Sequence, residues 1–403
     1  MGGNATVLEN TNSSNQKSLF LLMGIILIGA NLRAPLTSVG PLIPNIRNDL
    51  EISNAIAGTI TTLPLLAFAF FSPFAPKIAN RFGMERTIFY SLTLLTIGIF
   101  IRSFPGTISL FTGTVLIGLS IAFGNVLLPG FIKLKYPLRI GVVTGIYAVF
   151  MNLFGAIASG VSVPLTAFKS LGWQGALSSW GILSFIAMVI WLPQLLSKSN
   201  NQTDLTSSPQ HKSKNIWRSA LAWKITLFMG LQSLIFYTLM TWLPEILHLH
   251  HYSSSSAGWM LFLMQFAIIP ITFIVPVIAG KMKNQILLSA VTALFFIVGI
   301  VGLIAGNPIL IPFWVVIIGI GSGSAFSLSM MFFSLRTTDG QQASELSGMA
   351  QSFGYLLAAV GPVLFGGLHD AMDSWTVPLT MLLGISIIIL MVGIGAGKDK
   401  IIS

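Results

Sequence analysis

The feature that most constrains this chain is a run of apolar stretches, each about 20 residues long, separated by short polar breaks. A helix needs about 20 mostly apolar residues to cross the hydrocarbon core of a bilayer. Read this way, the sequence predicts helices near 18–44, 54–76, 86–104, 108–133, 140–167 and 174–195. A second set is predicted near 218–244, 255–281, 285–305, 309–335, 342–368 and 375–396. Only 8% of residues are charged while 54% are hydrophobic. An ordinary soluble domain carries about 25% charged residues, so the solvent for most of this surface is lipid. The expectation is an all-α membrane protein of 12 transmembrane helices.

The breaks set the organisation. Residues 1–17 form a polar tail and 18–196 a first six-helix bundle. Residues 197–217, rich in Ser, Asn and Lys, read as a linker; 218–396 form a second bundle and 397–403 a tail. The apolar run after Lys17 is too long for a signal-peptide core and has no small-residue cleavage site, so the first helix is expected to be retained. With the N-terminus placed in the cytoplasm, 17 of the 21 Lys and Arg fall on that side, among them Lys77, Arg81, Lys133, Lys281 and Arg336. Only Arg47, Arg102 and Lys169 fall outside. By the positive-inside rule both termini face the cytoplasm, and the net charge of +10 is accounted for by a membrane surface rather than nucleic acid. The location expected is the inner, cytoplasmic membrane.

The halves echo each other at an offset of about two hundred residues. Pro44-Asn45-Ile46 recurs as Pro244-Glu245-Ile246, Ala57-Gly58 as Ala257-Gly258, and Thr144-Gly145 as Ser347-Gly348. Weak symmetry of this kind marks a transporter whose site lies between two repeats.

There is no cysteine, which excludes disulfides and thiol chemistry. No GxxxxGK[ST] is present, and Gly319-Ile-Gly321-Ser-Gly323 lies inside an apolar span, where close helix packing explains it. His248, His250 and His251 sit in a loop and read as solvated. No nucleophile–base pair or metal set converges, so neither an enzyme nor a cofactor is expected. The implied partners are a small-molecule substrate and the bilayer, with the chain working as a monomer.

Every Asp, Glu and His falls in a tail, a loop or a helix end, and only Arg33 lies well inside a span. At 1.5 Å per residue it sits roughly 20 Å along helix one. A buried arginine costs about 2.5–3.5 kcal/mol on insertion scales, so it should face a cavity or a partner. No membrane carboxylate offers itself, and a guanidinium suits a planar or bidentate anion. Arg33 is therefore the main candidate substrate contact, against the alternative of a structural pin. Asn125, Pro129 and Lys133 form one stripe on helix four, with Lys133 read as an inside-positive anchor. Tyr147 and Asn152 lie on helix five, about 140° apart. Gln232 and Tyr237 on helix seven, Gln265 on helix eight, and Gln351 with Tyr355 on helix eleven complete the candidate set. Each could instead glue helices together, and Trp242 reads as an aromatic-belt anchor.

The loop Pro76-Lys-Ile-Ala-Asn80-Arg81-Phe-Gly83-Met84-Glu85-Arg86 resembles the loop signature of the major facilitator superfamily. In this chain Asn80 stands where the acid of that signature usually sits, and Pro76 replaces a Gly. Asn31-Leu32-Arg33, Gly124-Asn125-Val-Leu-Leu-Pro129, Trp242-Leu-Pro244, Leu335-Arg336-Thr-Thr-Asp339 and Leu346-Ser-Gly-Met-Ala-Gln351-Ser-Phe-Gly-Tyr355 are similar to the cyanate/nitroimidazole permease family. The resemblance implies the major facilitator fold in two pseudo-symmetric bundles and alternating access around a midplane site. The solute would be small and anionic or polar, of the cyanate class; the alternative is export of nitroimidazole-like or other drugs. Arg33, Asn125, Gln351 and Tyr355 lie within the matching motifs.

Overall fold

The computed structural model describes residues 19–52, 54–168, 171–196, 216–248, 250 and 252–402. The N-terminal tail, most of the linker, Ser53, Lys169, Ser170, Leu249, His251 and Ser403 lie outside the described residues. Apolar helices dominate because in lipid every backbone N–H and C=O must be satisfied within the segment. Eleven helices are long and apolar enough to span among the described residues, and a bent pair makes twelve. In chain order they are α1 (Leu19–Leu50), α2 (Asn54–Phe71 with Phe74–Phe82), α3 (Met84–Arg102), α4 (Thr107–Lys135), α5 (Ile140–Ala167) and α6 (Gly172–Leu195). After the linker come α7 (Ala220–His248), α8 (Ser254–Lys281), α9 (Ile286–Ala305), α10 (Ile311–Leu335), α11 (Gly340–Met372) and α12 (Thr376–Ala396). Phe70, Tyr90, Trp259, Phe262 and Val363 are exposed on these spans, as lipid-facing side chains should be.

α6 is interrupted by a turn at Ser179, and α1 and α2 are broken at proline. α2 bends by 58° where Pro73 follows Ser72, because a proline lacks the N–H and clashes with the preceding turn. α1 breaks at Leu32–Arg33, just before Pro35, runs as helix over Ala34–Thr37 and turns again at Ser38–Val39.

The chain forms two compact units, each gathering segments from separate stretches of sequence. The first comprises the described residues of Met1–Thr61, Arg81–Gly124 and Phe150–Gln210. Its helices close on small residues and single polar ties. A Cβ on Gly24 would lie 2.8 Å from Trp191 on α6, whose indole donates to the Glu85 carbonyl at 3.0 Å. Thr96 and Ser184 share a hydrogen bond of 2.7 Å between α3 and α6, and Trp173 donates to Asp49 at 2.9 Å.

The second unit comprises Thr62–Asn80, Asn125–Val149 and the described residues of His211–Ser403. Here Gly319 and Gly323 let α10 close on the Met264 and Ile268 carbonyls of α8, and Gly321 meets Phe295 and Phe296 of α9. The glycine triplet is a packing device, as its place in an apolar span implied. Arg336, just past α10, is buried and ties three elements together. Its Nε donates to the Ala396 carbonyl and its Nη2 to the Gly397 carbonyl, both at 3.0 Å, and Nη2 also bonds Gln285 Oε1. Burial pulls its pKa below the ordinary arginine value, with Asp399 opposing. A cation at the carboxyl end of α12 complements the helix dipole there.

Candidate functional site

The turn Asn31-Leu32-Arg33 sends each of its three side chains to a different helix of the first unit. Asn31 is fully buried and donates to the Leu27 carbonyl at 2.8 Å and the Leu183 carbonyl of α6 at 3.3 Å. Leu32 fills the space left by Gly124 on α4, where a Cβ would lie 2.6 Å from its Cδ2. Arg33 is half-buried, and its stem lies over Gly155 on α5, where a Cβ would be 2.7 Å from Cγ. The backbone is pinned at the same place. Thr37 Oγ1 donates to the Gly155 carbonyl at 2.8 Å and to the Arg33 carbonyl at 3.2 Å. The break in α1 thus seats a guanidinium stem on the one residue type of α5 that leaves it room.

Asn152 precedes Gly155 by about one turn of α5, on the same side of that helix. It is half-buried, whereas Tyr147 is buried at 2% exposure.

In the second unit α11 carries two adjoining stripes. Gly340, Ser344, Gly348, Ser352 and Tyr355 face α4 and α2. Gly340 meets the Gly130 carbonyl, a Cβ on Gly348 would lie 2.9 Å from the Ser72 carbonyl, and Ser352 donates to the Ala69 carbonyl at 2.6 Å. Tyr355 sets its ring 4.9 Å from that of Phe68. Gly354, Leu357 and Gly361 face α7 at Gly230, Leu234 and Thr238. Gln351 falls between the two stripes. It is fully buried, donates to Ser347 Oγ at 2.8 Å, and leaves its own Oε1 without a partner.

The remaining candidates are dispersed. Gln232 lies on the face of α7 opposite Gly230 and Leu234, turned from α11, with its amide bonded to Met229 Sδ at 3.3 Å and Ser233 Oγ at 2.8 Å. Tyr237 is half-buried with its ring 5.2 Å from Phe236, and Gln265 and Asn125 are half-buried. Trp242 donates to the Pro362 carbonyl at 2.7 Å and packs on Gly366, so it is a tie between α7 and α11 rather than a free interfacial anchor.

Two cations have roles the sequence did not reveal. Arg102, expected among outside helix-end charges, is 1% exposed and donates from Nη1 to the Pro35 carbonyl at 2.7 Å. Lys133 caps the carboxyl end of α10. Its Nζ donates to the Ser334 carbonyl at 2.6 Å, to the Thr337 carbonyl, and to Thr337 Oγ1 at 3.1 Å. Backbone carbonyls are the shortest acceptors in both cases, and they leave no mark in a sequence.

The family model described as Major Facilitator Superfamily matches residues 19–362. The chain is similar to the uncharacterized transporter YycB of Bacillus subtilis (strain 168), at 48% identity over 98% of both chains. It is 42% identical to a 2-nitroimidazole transporter of Escherichia coli (strain K12), over 97% of this chain and 98% of that one. The cyanate transport protein CynX of Escherichia coli (strain K12) matches at 24% identity over 88% of this chain and 91% of its own. Among solved structures, the proton:xylose symporter XylE covers 94% of both chains at a TM-score of 0.76 and 12% identity, a likeness of fold. This chain therefore belongs to the major facilitator superfamily and is a multi-pass membrane transporter of small solutes rather than an enzyme.

Proposed function

We propose that the chain carries a small, planar or linear anion across the cytoplasmic membrane by alternating access, with Arg33 as its main contact. The observation that carries this reading is the seat of Arg33: a charged side chain inside an apolar span, delivered by a helix break and accommodated by Gly155. Cyanate and 2-nitroimidazole, the solutes named for two relatives, fit one chemical description. Cyanate is a linear anion. The nitro group makes the imidazole N–H acidic, and the resulting anion is planar and delocalised. A guanidinium matches such charge with paired donors, which a point-like ammonium does not. Asn152, one turn before Gly155, and Gln351 and Tyr355 on α11, are proposed as the polar groups that complete recognition.

Two bundles, 18–196 and 218–396, rocking about this site with both termini in the cytoplasm, are the proposed framework. The ties of Lys133 to α10, Gly348 to α2 and Gly145 to Phe273 of α8 support a gate closed at that end. An inside-negative potential favours outward movement of a monovalent anion by about 2.3 kcal/mol per 100 mV. Export of the anion then needs no coupled ion, whereas uptake needs a co-transported cation or rapid consumption inside.

Counterflow in proteoliposomes tests the proposal, with labelled cyanate and labelled 2-nitroimidazole and with wild type beside folded Arg33→Gln. Competition by small anions, lost in the variant, is the expected result. Counterflow unchanged in Arg33→Gln would leave Arg33 a structural pin. Competition by cationic drugs instead would favour a general drug exporter.

A further inference from the structure

Among the described residues of the first unit, every buried side-chain polar atom without a partner belongs to a group packed around one short segment of α1. These atoms are Asn31 Oδ1, Trp180 Nε1, and Arg102 Nε and Nη2. Asn31 lies in the segment itself, Trp180 packs with Ala34, and Arg102 bonds the Pro35 carbonyl. Buried polar groups are nearly always paired, so their concentration at one place calls for a physical account.

Arg102 is the largest of these anomalies. A charge removed from water is costly unless a counter-charge meets it. α1 brings Arg33 and no acid before Asp49, and α4, which touches the Arg102 backbone at Gly113, has no acid or base before Lys133. No carboxylate pairs with Arg102 among the described residues. What it does hold is a carbonyl that the broken helix has left over. In a regular helix the Pro35 carbonyl would accept from Val39, but Ala34–Thr37 ends in the turn at Ser38–Val39. Arg102 Nη1 takes that place at 2.7 Å, with Ser38 Oγ at 3.3 Å. The four residues 34–37 are thus held on one side by Arg102 and on the other by the Thr37–Gly155 tie. Arg33 is the residue that opens this short helix, and its carbonyl accepts from the Leu36 and Thr37 amides.

We infer that Arg102 is a positioning and specificity residue: it fixes the turn that presents Arg33, and its uncompensated charge favours an anion in the site. The inference rests on the reading of Arg33 as substrate contact. It gives the unpaired guanidinium edge a role, because a carrier that charges its own interior with two cations and no acid discriminates against cationic solutes.

The experiment is cyanate counterflow in proteoliposomes with the full chain as wild type, Arg102→Met, Arg102→Lys and Arg33→Gln, each checked for folding by gel filtration. In Arg102→Met the half-saturating cyanate concentration should rise about tenfold, within the usual range of coupling between two positions, with the maximal rate little changed. Arg102→Lys supplies a readout that a purely structural role would not move. A buried ammonium loses its proton more readily than one in water, whereas a guanidinium stays charged. The ratio of half-saturation in Arg102→Lys to that in wild type should therefore be near one at low pH and rise as pH rises, cyanate's own ionisation cancelling. Half-saturation within twofold of wild type in Arg102→Met would overturn the inference, as would a ratio independent of pH if that variant does not fold. If Arg33→Gln transports normally, the reading of Arg33 fails. If it does not while both Arg102 variants behave as wild type, only the inference about Arg102 fails.

Discussion

The Cγ of Arg33 occupies space that a side chain at Gly155 would claim, since a Cβ there would lie 2.7 Å away. Real Cβ atoms do not approach so closely, so the conformation of Arg33 and the identity of residue 155 are one structural fact. Gly155→Val should therefore displace the guanidinium while leaving the spans in place. A charged hydrogen bond is worth about 1.5–3 kcal/mol, or roughly ten- to hundredfold in affinity. Half-saturation in counterflow should rise by that range, with the thermal midpoint in detergent little moved. An unchanged affinity would show that Arg33 does not meet the solute.

Lys133 bonds the carboxyl end of α10 through three acceptors. Lys133→Met should free that end and open the gate. The chain has no cysteine, so a single Cys at Ser344, which is 1% exposed against Gly130, reports opening without background. The loss of about 1–2 kcal/mol of dipole and hydrogen-bond energy should raise its maleimide labelling roughly five- to thirtyfold. Equal labelling rates would show that Lys133 is only an interfacial cation.

Gln351 has one hydrogen bond and one unpaired buried oxygen. Gln351→Leu keeps the volume and removes the orphan, so stability should stay within about 1 kcal/mol. Transport affinity should nevertheless fall about tenfold if the amide meets the solute in the cycle. Normal transport by the folded variant would confine Gln351 to helix packing.

Arg336 has the opposite expectation. Its removal takes the Arg336 donors from Gln285 Oε1 and the Ala396 carbonyl, while the Gly397 carbonyl keeps the Gln285 amide at 2.8 Å. Arg336→Met should lower stability by about 2–4 kcal/mol, as a clear drop in thermal midpoint, because each buried orphan costs about 1–3 kcal/mol. The folded fraction should keep wild-type half-saturation. A changed affinity at unchanged stability would contradict a purely architectural role.

Much of this molecule is legible in its sequence. The twelve spans follow from apolar length, and the breaks in α1 and α2 from Pro35 and Pro73, because proline removes a backbone donor. The internal repeat is also visible, and the structure gives one of its matches a use. Gly145 lets α5 close on Phe273 of α8, and its counterpart Gly348 lets α11 close on Ser72 of α2.

The sequence by itself determined the spans, their breaks and the one charge well inside an apolar run. Only the tertiary structure decided which neighbour each polar residue meets. In lipid both faces of a helix are apolar, so the amphipathic pattern that orients a soluble helix is weak, and Gln232 and Gln351 look equivalent until α7 and α11 are packed. The same holds for Arg102 and Lys133, whose partners are backbone carbonyls freed by a broken turn or a helix end. An acceptor that every residue carries cannot be located from residue identities, and the fold alone brings it within reach.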